Sequence, residues 1–193
     1  MTVKLSGCRN KVIDNGKGNT MDLNEFLELK DCSLSIDWSC IENDIGFQLH
    51  DDLKKLYSRT YSKYVRGVIK FNDTDFLVST GNKTFDEWFS KNNCNGEVEI
   101  SLNLIKDRES VDSTVRKAWK DWMGPFDFGK RILIGNFDMD IGSILILFNN
   151  DTGCIEWLDS EYGGFGDLEK DPNGIIAYNI DEFLNKLSVN ISE

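Results

Sequence analysis

The chain has 193 residues, 40% of them hydrophobic and 28% charged, with a formal net charge of −11 and only two prolines. These are the proportions of one ordinary globular domain, which excludes a disordered or fibrous chain. A domain of this size buries roughly 70% of its unfolded surface, so its core requires neither a metal nor a disulfide.

In chain order, Asp22 with Glu25 forms a capping-box pattern that predicts a short helix over Leu23–Lys30. Cys32, Leu34, Ile36 and Trp38 alternate with polar residues, the period of a half-buried strand, and Ser39 with Glu42 predicts a further helical turn. The next helix opens on Asp51 and Asp52, whose charge suits the positive end of a helix dipole, and places Leu53, Leu56 and Tyr57 on one face. Val65–Phe71 and Asp75–Ser79 read as a hairpin around Asn72-Asp-Thr. Thr84 with Glu87 starts a short helix, and Val98–Leu104 is a strand. From Asp107 to Met123, Val111, Val115, Ala118, Trp119 and Trp122 make an apolar helical stripe stopped by Gly124-Pro125. Ile132–Gly135 and Ser143–Phe148 are continuous apolar runs of the kind found in central strands. Asn149-Asn-Asp-Thr-Gly153 supplies turn residues between the second run and Cys154–Leu158, which predicts a hairpin. A long acidic, glycine-rich loop, Asp159–Gly174, leads to a last helix over Ile180–Leu187 capped by Asn179. The pattern is α+β: a single domain with a largely antiparallel central sheet and helices at its ends and on one face.

The five cysteines are odd in number, widely spaced and without a CxxC, and His50 is the single histidine, so a Cys/His zinc site is not expected. The N-terminus has no apolar run behind its lysine, and the apolar window Ile141–Phe148 is far too short to cross a bilayer. A soluble, cytoplasmic protein with reduced thiols is the expectation.

Charge is unevenly distributed. Residues 132–193 hold 12 acidic and 2 basic residues, a net of −10, while the rest of the chain holds 21 and 20, a net of −1. Phosphate would be repelled by the acidic part, which argues against nucleic acid and anionic membrane and in favour of a basic protein partner.

Chemistry is sparse. His50 would have to serve any Ser-His-Asp or Cys-His site, yet its place at a helix start favours a turn or capping role. Asp138 and Asp140 flank Met139 and carry no nearby lysine or histidine, so a carboxylate pair or magnesium site is less favoured than an exposed acidic surface. Tyr162-Gly-Gly-Phe-Gly166 lies among acids and lacks a following Lys-Ser/Thr, unlike a phosphate-binding loop. No catalytic, cofactor or metal residues are assigned. A protein-binding surface is expected from Asp138, Asp140, Asp159, Glu161, Tyr162, Phe165, Asp167, Glu169 and Asp171, aromatic anchors ringed by carboxylates. Trp157, alternating with Ile155, is expected in the core instead.

Leu49 followed by His-Asp-Asp-Leu-Lys-Lys-Leu-Tyr57 resembles the "LPxDLKxFY" signature that opens the SUKH superfamily domain. Ile132-Leu-Ile-Gly-Asn-Phe137, Asp140-Ile-Gly-Ser-Ile-Leu-Ile-Leu-Phe148, Thr152-Gly-Cys-Ile-Glu-Trp-Leu-Asp159 and Asn179-Ile-Asp-Glu-Phe-Leu184 resemble that domain's strand, hairpin and closing helix, in order. The resemblance spans roughly residues 41–187 of a single domain, with residues 1–40 as an N-terminal extension. His50 replaces the family's proline, and the end of the first motif is blurred over Tyr61–Gly67. The resemblance implies a non-enzymatic protein-binding domain without a cofactor. Its bacterial members are mostly immunity proteins that neutralise toxins, often nucleases, of polymorphic or contact-dependent systems. Other members regulate cell-wall synthesis or engage host proteins, the alternative function the resemblance implies.

Overall fold

The computed structural model describes residues 20–22, 36–60, 68–71, 98–102, 129–137, 144–159 and 173–190. In order these form β1 (Thr20–Asp22), α1 (Trp38–Ile45), α2 (Asp51–Thr60), β2 (Val68–Phe71), β3 (Val98–Leu102), β4 (Arg131–Phe137), β5 (Ile144–Asn149), β6 (Ile155–Asp159), β7 (Asn173–Ala177), α3 (Ile180–Asn185) and β8 (Leu187–Asn190). The strands join in one sheet, in the order β1-β8-β2-β3-β4-β5-β6-β7. Every pairing is antiparallel. The α+β class is therefore seen directly.

Burial explains why β5 sits inside the sheet. All six of its residues are buried, and an uninterrupted Ile-Leu-Ile-Leu-Phe run is stable only where both sheet faces are covered. It pairs with β4 from Arg131↔Asn149 to Phe137↔Ile144, and with β6 from Ile144↔Asp159 to Phe148↔Ile155. The expected hairpin is thus present, antiparallel and buried. Ile144, Ile146, Phe148, Ile155 and Trp157 point into the main core, where they meet Ile41 and Ile45 of α1, Leu53, Leu56 and Tyr57 of α2, and Phe183 and Leu184 of α3. Each such side chain contributes ~1.5–3 kcal/mol on burial. Trp157 belongs to the core, as its alternation with Ile155 implies.

Several local expectations are corrected. Trp38 does not continue a strand: Asp37 caps α1 by accepting a hydrogen bond from the Cys40 amide at 3.1 Å, so the helix starts before the predicted Ser39. A nearby helix cap outweighed the period-two pattern. Asp22 ends a short strand, and extended backbone is compatible with a helix cap; the helix expected after it lies outside the described residues. β2 has β3 on one side and β8 on the other, which leaves no side for the predicted hairpin partner at Ile69–Phe71. α3 ends at Asn185, and Leu187 opens β8 instead of closing the helix. The predicted segments Leu23–Lys30, Asp75–Ser79, Thr84–Phe89 and Asp107–Met123 lie outside the described residues.

Candidate functional site

The start of α2 is held to the β5–β6 turn by a reciprocal clamp. The His50 amide donates to Asn150 Oδ1 at 2.7 Å, and Asn150 Nδ2 donates to the Gln48 carbonyl at 2.8 Å. His50 Nδ1 accepts the Asp52 amide at 3.2 Å, which makes the imidazole a helix cap. Its ring stands edge-on to Phe148, with centroids 5.6 Å apart. Gly153, at φ +76°, passes beneath that ring, and a Cβ there would stand 3.3 Å from His50 Cε1 and Nε2. The turn itself is an Asn turn, since Asn149 Oδ1 accepts the amides of Asp151 and Thr152. The role of His50 in this geometry is to fix α2 against the hairpin.

A second set of polar contacts fixes α1 to α2. Glu42 accepts from the Leu49 amide at 2.9 Å and pairs with Lys54 Nζ at 2.6 Å. Burial raises the Glu42 pKa, but the Lys54 ammonium and the Leu49 amide outweigh it and leave the carboxyl below its usual range.

With these anchors in place, α2 and α3 border a groove of ≈480 Å³ whose lining includes Leu56 and Ile180 together with Asp51, Asp52 and Asp181. Lys55 crosses it and pairs with Asp52 at 2.9 Å; Asp52, Asp51 and Asp181 all raise its pKa, the hydrogen bond to Asp52 first. Lys54 also lines the groove, so its three carboxylates stand beside two lysines and two apolar side chains, and among the described residues no close ion pair engages Asp51 or Asp181. Beside α3, Ile175 is 48% exposed and Tyr178 69% exposed, the large apolar side chains most open to water among the described residues. Tyr178 is carried on fixed backbone: its amide donates to Glu182 Oε2 at 2.9 Å, while the Glu182 amide donates to Asn179 Oδ1 at 2.8 Å. Asn179 thus caps the helix as expected, and Glu182 reaches back past it to the Tyr178 amide.

Of the predicted protein-binding residues, Asp159 is the last residue of β6, in register with Ile144. Asp138, Asp140, Glu161, Tyr162, Phe165, Asp167, Glu169 and Asp171 lie outside the described residues. The groove acids and the exposed pair Ile175 and Tyr178 were absent from the sequence-based site. Asp51, Asp52 and Asp181 had an adequate local role in the first turns of two helices, and only the packing of α2 against α3 brings them together. Tyr178 carried one usable signal: an aromatic directly before a helix cap. Among the described residues no group of three or more His, Cys, Asp or Glu side chains is placed to hold a metal, and no helix is long and apolar enough to cross a membrane.

No family model matches this chain, and no curated protein matches it.

Proposed function

We propose that the chain is a SUKH-like protein-binding domain, acting as an immunity-type inhibitor that neutralises a basic toxin, of the nuclease class, by stoichiometric binding. It performs no chemistry of its own. The observation that carries the reading is the segregation of charge along the chain: residues 132–193 are net −10 while the rest of the chain is net −1. A nuclease keeps a basic surface for phosphate, and a dense set of carboxylates on a rigid scaffold competes for that surface. Asp138, Asp140, Asp159, Glu161, Asp167, Glu169 and Asp171 supply most of the attraction, and Tyr162 and Phe165 supply apolar anchorage.

What supports the SUKH-like assignment is the order of the elements. The residues of the helix-opening motif form α2, those of the strand and hairpin motifs form β4, β5 and β6, and those of the closing motif form α3. The Asn150 clamp ties the first motif directly to the hairpin.

Purification of the tagged chain from its native cells tests the reading. The expected result is a basic protein bound at a one-to-one ratio, toxic when expressed alone, whose activity disappears on addition of one equivalent of this chain. A partner whose activity is unaffected at saturation would contradict inhibition and leave a scaffold role.

A further inference from the structure

We propose that His50, Asp52 and Lys55 form a pH-operated switch at the start of α2. With His50 neutral, its Nδ1 caps the helix while Asp52 holds Lys55. With His50 protonated, Nδ1 donates to the Asp52 carboxylate, the backbone cap opens and Lys55 loses part of its partner.

One ring nitrogen carries both states. His50 Nδ1 accepts the Asp52 amide at 3.2 Å and stands 3.8 Å from Asp52 Oδ2. Accepting an amide requires a lone pair on Nδ1, so this cap exists only while the imidazole is neutral with its proton on Nε2. The position is that of a helix N-cap, since α2 opens at Asp51 and the His50 carbonyl accepts the Lys54 amide at 3.2 Å. A proton on Nδ1 turns the acceptor into a donor. The Asp52 amide then loses its partner, and Asp52 Oδ2 is the acceptor beside it.

The ring has little room to respond by moving. Its edge stands against Phe148, and Gly153 passes beneath it where a Cβ would lie 3.3 Å from Cε1 and Nε2. The backbone is fixed as well, because the His50 amide donates to Asn150 Oδ1, a contact that does not titrate. Protonation therefore acts on Asp52 and leaves the junction between α2 and the hairpin in place. Asp52 is shared, its Oδ1 being bonded to Lys55 Nζ at 2.9 Å. A carboxylate drawn towards His50 loosens Lys55, whose charge Asp51 and Asp181 also favour across the groove.

The surrounding charges divide. On α2, Asp51 and Asp52 favour a protonated ring, while Lys54, Lys55 and the positive end of the helix dipole oppose it. Glu42 of α1 is committed to Lys54 at 2.6 Å, and in the β5–β6 turn Asp151 pairs with Lys130 at 3.2 Å. Cys154, next to Gly153, is a half-buried thiol. Among the described residues, Asp52 is the acid paired with His50 itself.

NMR of the whole chain from about pH 8 to about pH 5 tests the switch, because an imidazole ordinarily titrates in that range. At the upper end Nδ1 should be unprotonated. On acidification the Asp52 amide and the Lys55 side-chain signals should move with the imidazole. Exchange of the Asp52 amide, corrected for its intrinsic pH dependence, should rise about tenfold as the cap is lost. His50→Asn keeps a side-chain cap without a titrating group, so its Asp52 amide should stay protected throughout. Asp52→Asn keeps the backbone amide and removes the charge that receives the proton's bond. Its unfolding constant should rise about threefold more on acidification than that of the wild type. Amide spectra establish that both variants fold. A proton on Nδ1 at the upper pH, or an Asp52 amide indifferent to the imidazole, would overturn the switch. A response retained in His50→Asn would place its origin in another group and overturn it equally. Lys55 signals that stay fixed, or an Asp52→Asn variant with the acid response of the wild type, would overturn the proposal as stated.

Discussion

Asn150 holds together parts of the chain that are distant in sequence. Its side chain accepts one hydrogen bond and donates another across the junction between α2 and the hairpin, and it is buried there. Asn150→Ala orphans the His50 amide and the Gln48 carbonyl together, so the variant should lose about 2–3 kcal/mol in urea unfolding. His50→Ala should be milder, at about 1–2 kcal/mol, because it removes a cap and an edge contact without stranding a buried group. An Asn150 variant as stable as the wild type would mean that the clamp is incidental. Glu42 supplies a pH signature. Its folded-state pKa is lowered, so its contribution is present above the unfolded-state value, near about 4.3, and is lost as pH falls through the lower folded value. The stability gap between wild type and Glu42→Gln should therefore narrow as pH drops from about 6 to about 3. A gap that stays constant over that range would refute the assigned coupling to Lys54.

At the scale of elements, legibility in the sequence followed how local each signal was. β5 and β6 were readable because an unbroken apolar run and an asparagine-rich turn carry their own instructions, and α2 because Leu53, Leu56 and Tyr57 recur at helical spacing. β8 was hidden because Leu187 continues the apolar face of α3, and no glycine or proline marks the change to Leu-Ser-Val-Asn. Its pairing with β1 and β2 depends on segments far away in the chain, which no local window contains. β7 was obscured by the glycine-rich stretch before it, although Gly174 has a structural purpose against Trp157. Gly174→Ala should push the indole or the strand aside and destabilise the protein by about 1–3 kcal/mol. The loss should be accompanied by faster amide exchange in β7 and α3, with β4 and β5 unaffected. Uniform acceleration across the sheet would show that β7 is not a separable edge. Most of the expected binding residues rest on composition alone, because clustered acids carry no period that fixes where they point.

The described residues form a main core under the three helices, and the chain carries a strong negative charge. The main core spans α1, α2, α3 and the sheet face they cover, and a domain of this size is expected to need no covalent staple. Cys40 is exposed and Cys154 half-buried, both as thiols. A chelator together with a reductant should accordingly leave Tm unchanged, and a fall of more than a few degrees would reveal a staple in the chain. The field arises from the −11 net charge and its concentration in residues 132–193. Long-range attraction of this kind acts on encounter, whereas buried aromatic anchors act on release. The decisive measurement is the association kinetics of the co-purified partner at low and high salt, with Asp159, Glu161, Asp167, Glu169 and Asp171 neutralised to Asn or Gln. The account predicts slower association for that variant and a flattened salt dependence, with dissociation little changed. Association rates equal to the wild type at every salt concentration would contradict it and reduce the acidic segment to a solubilising surface.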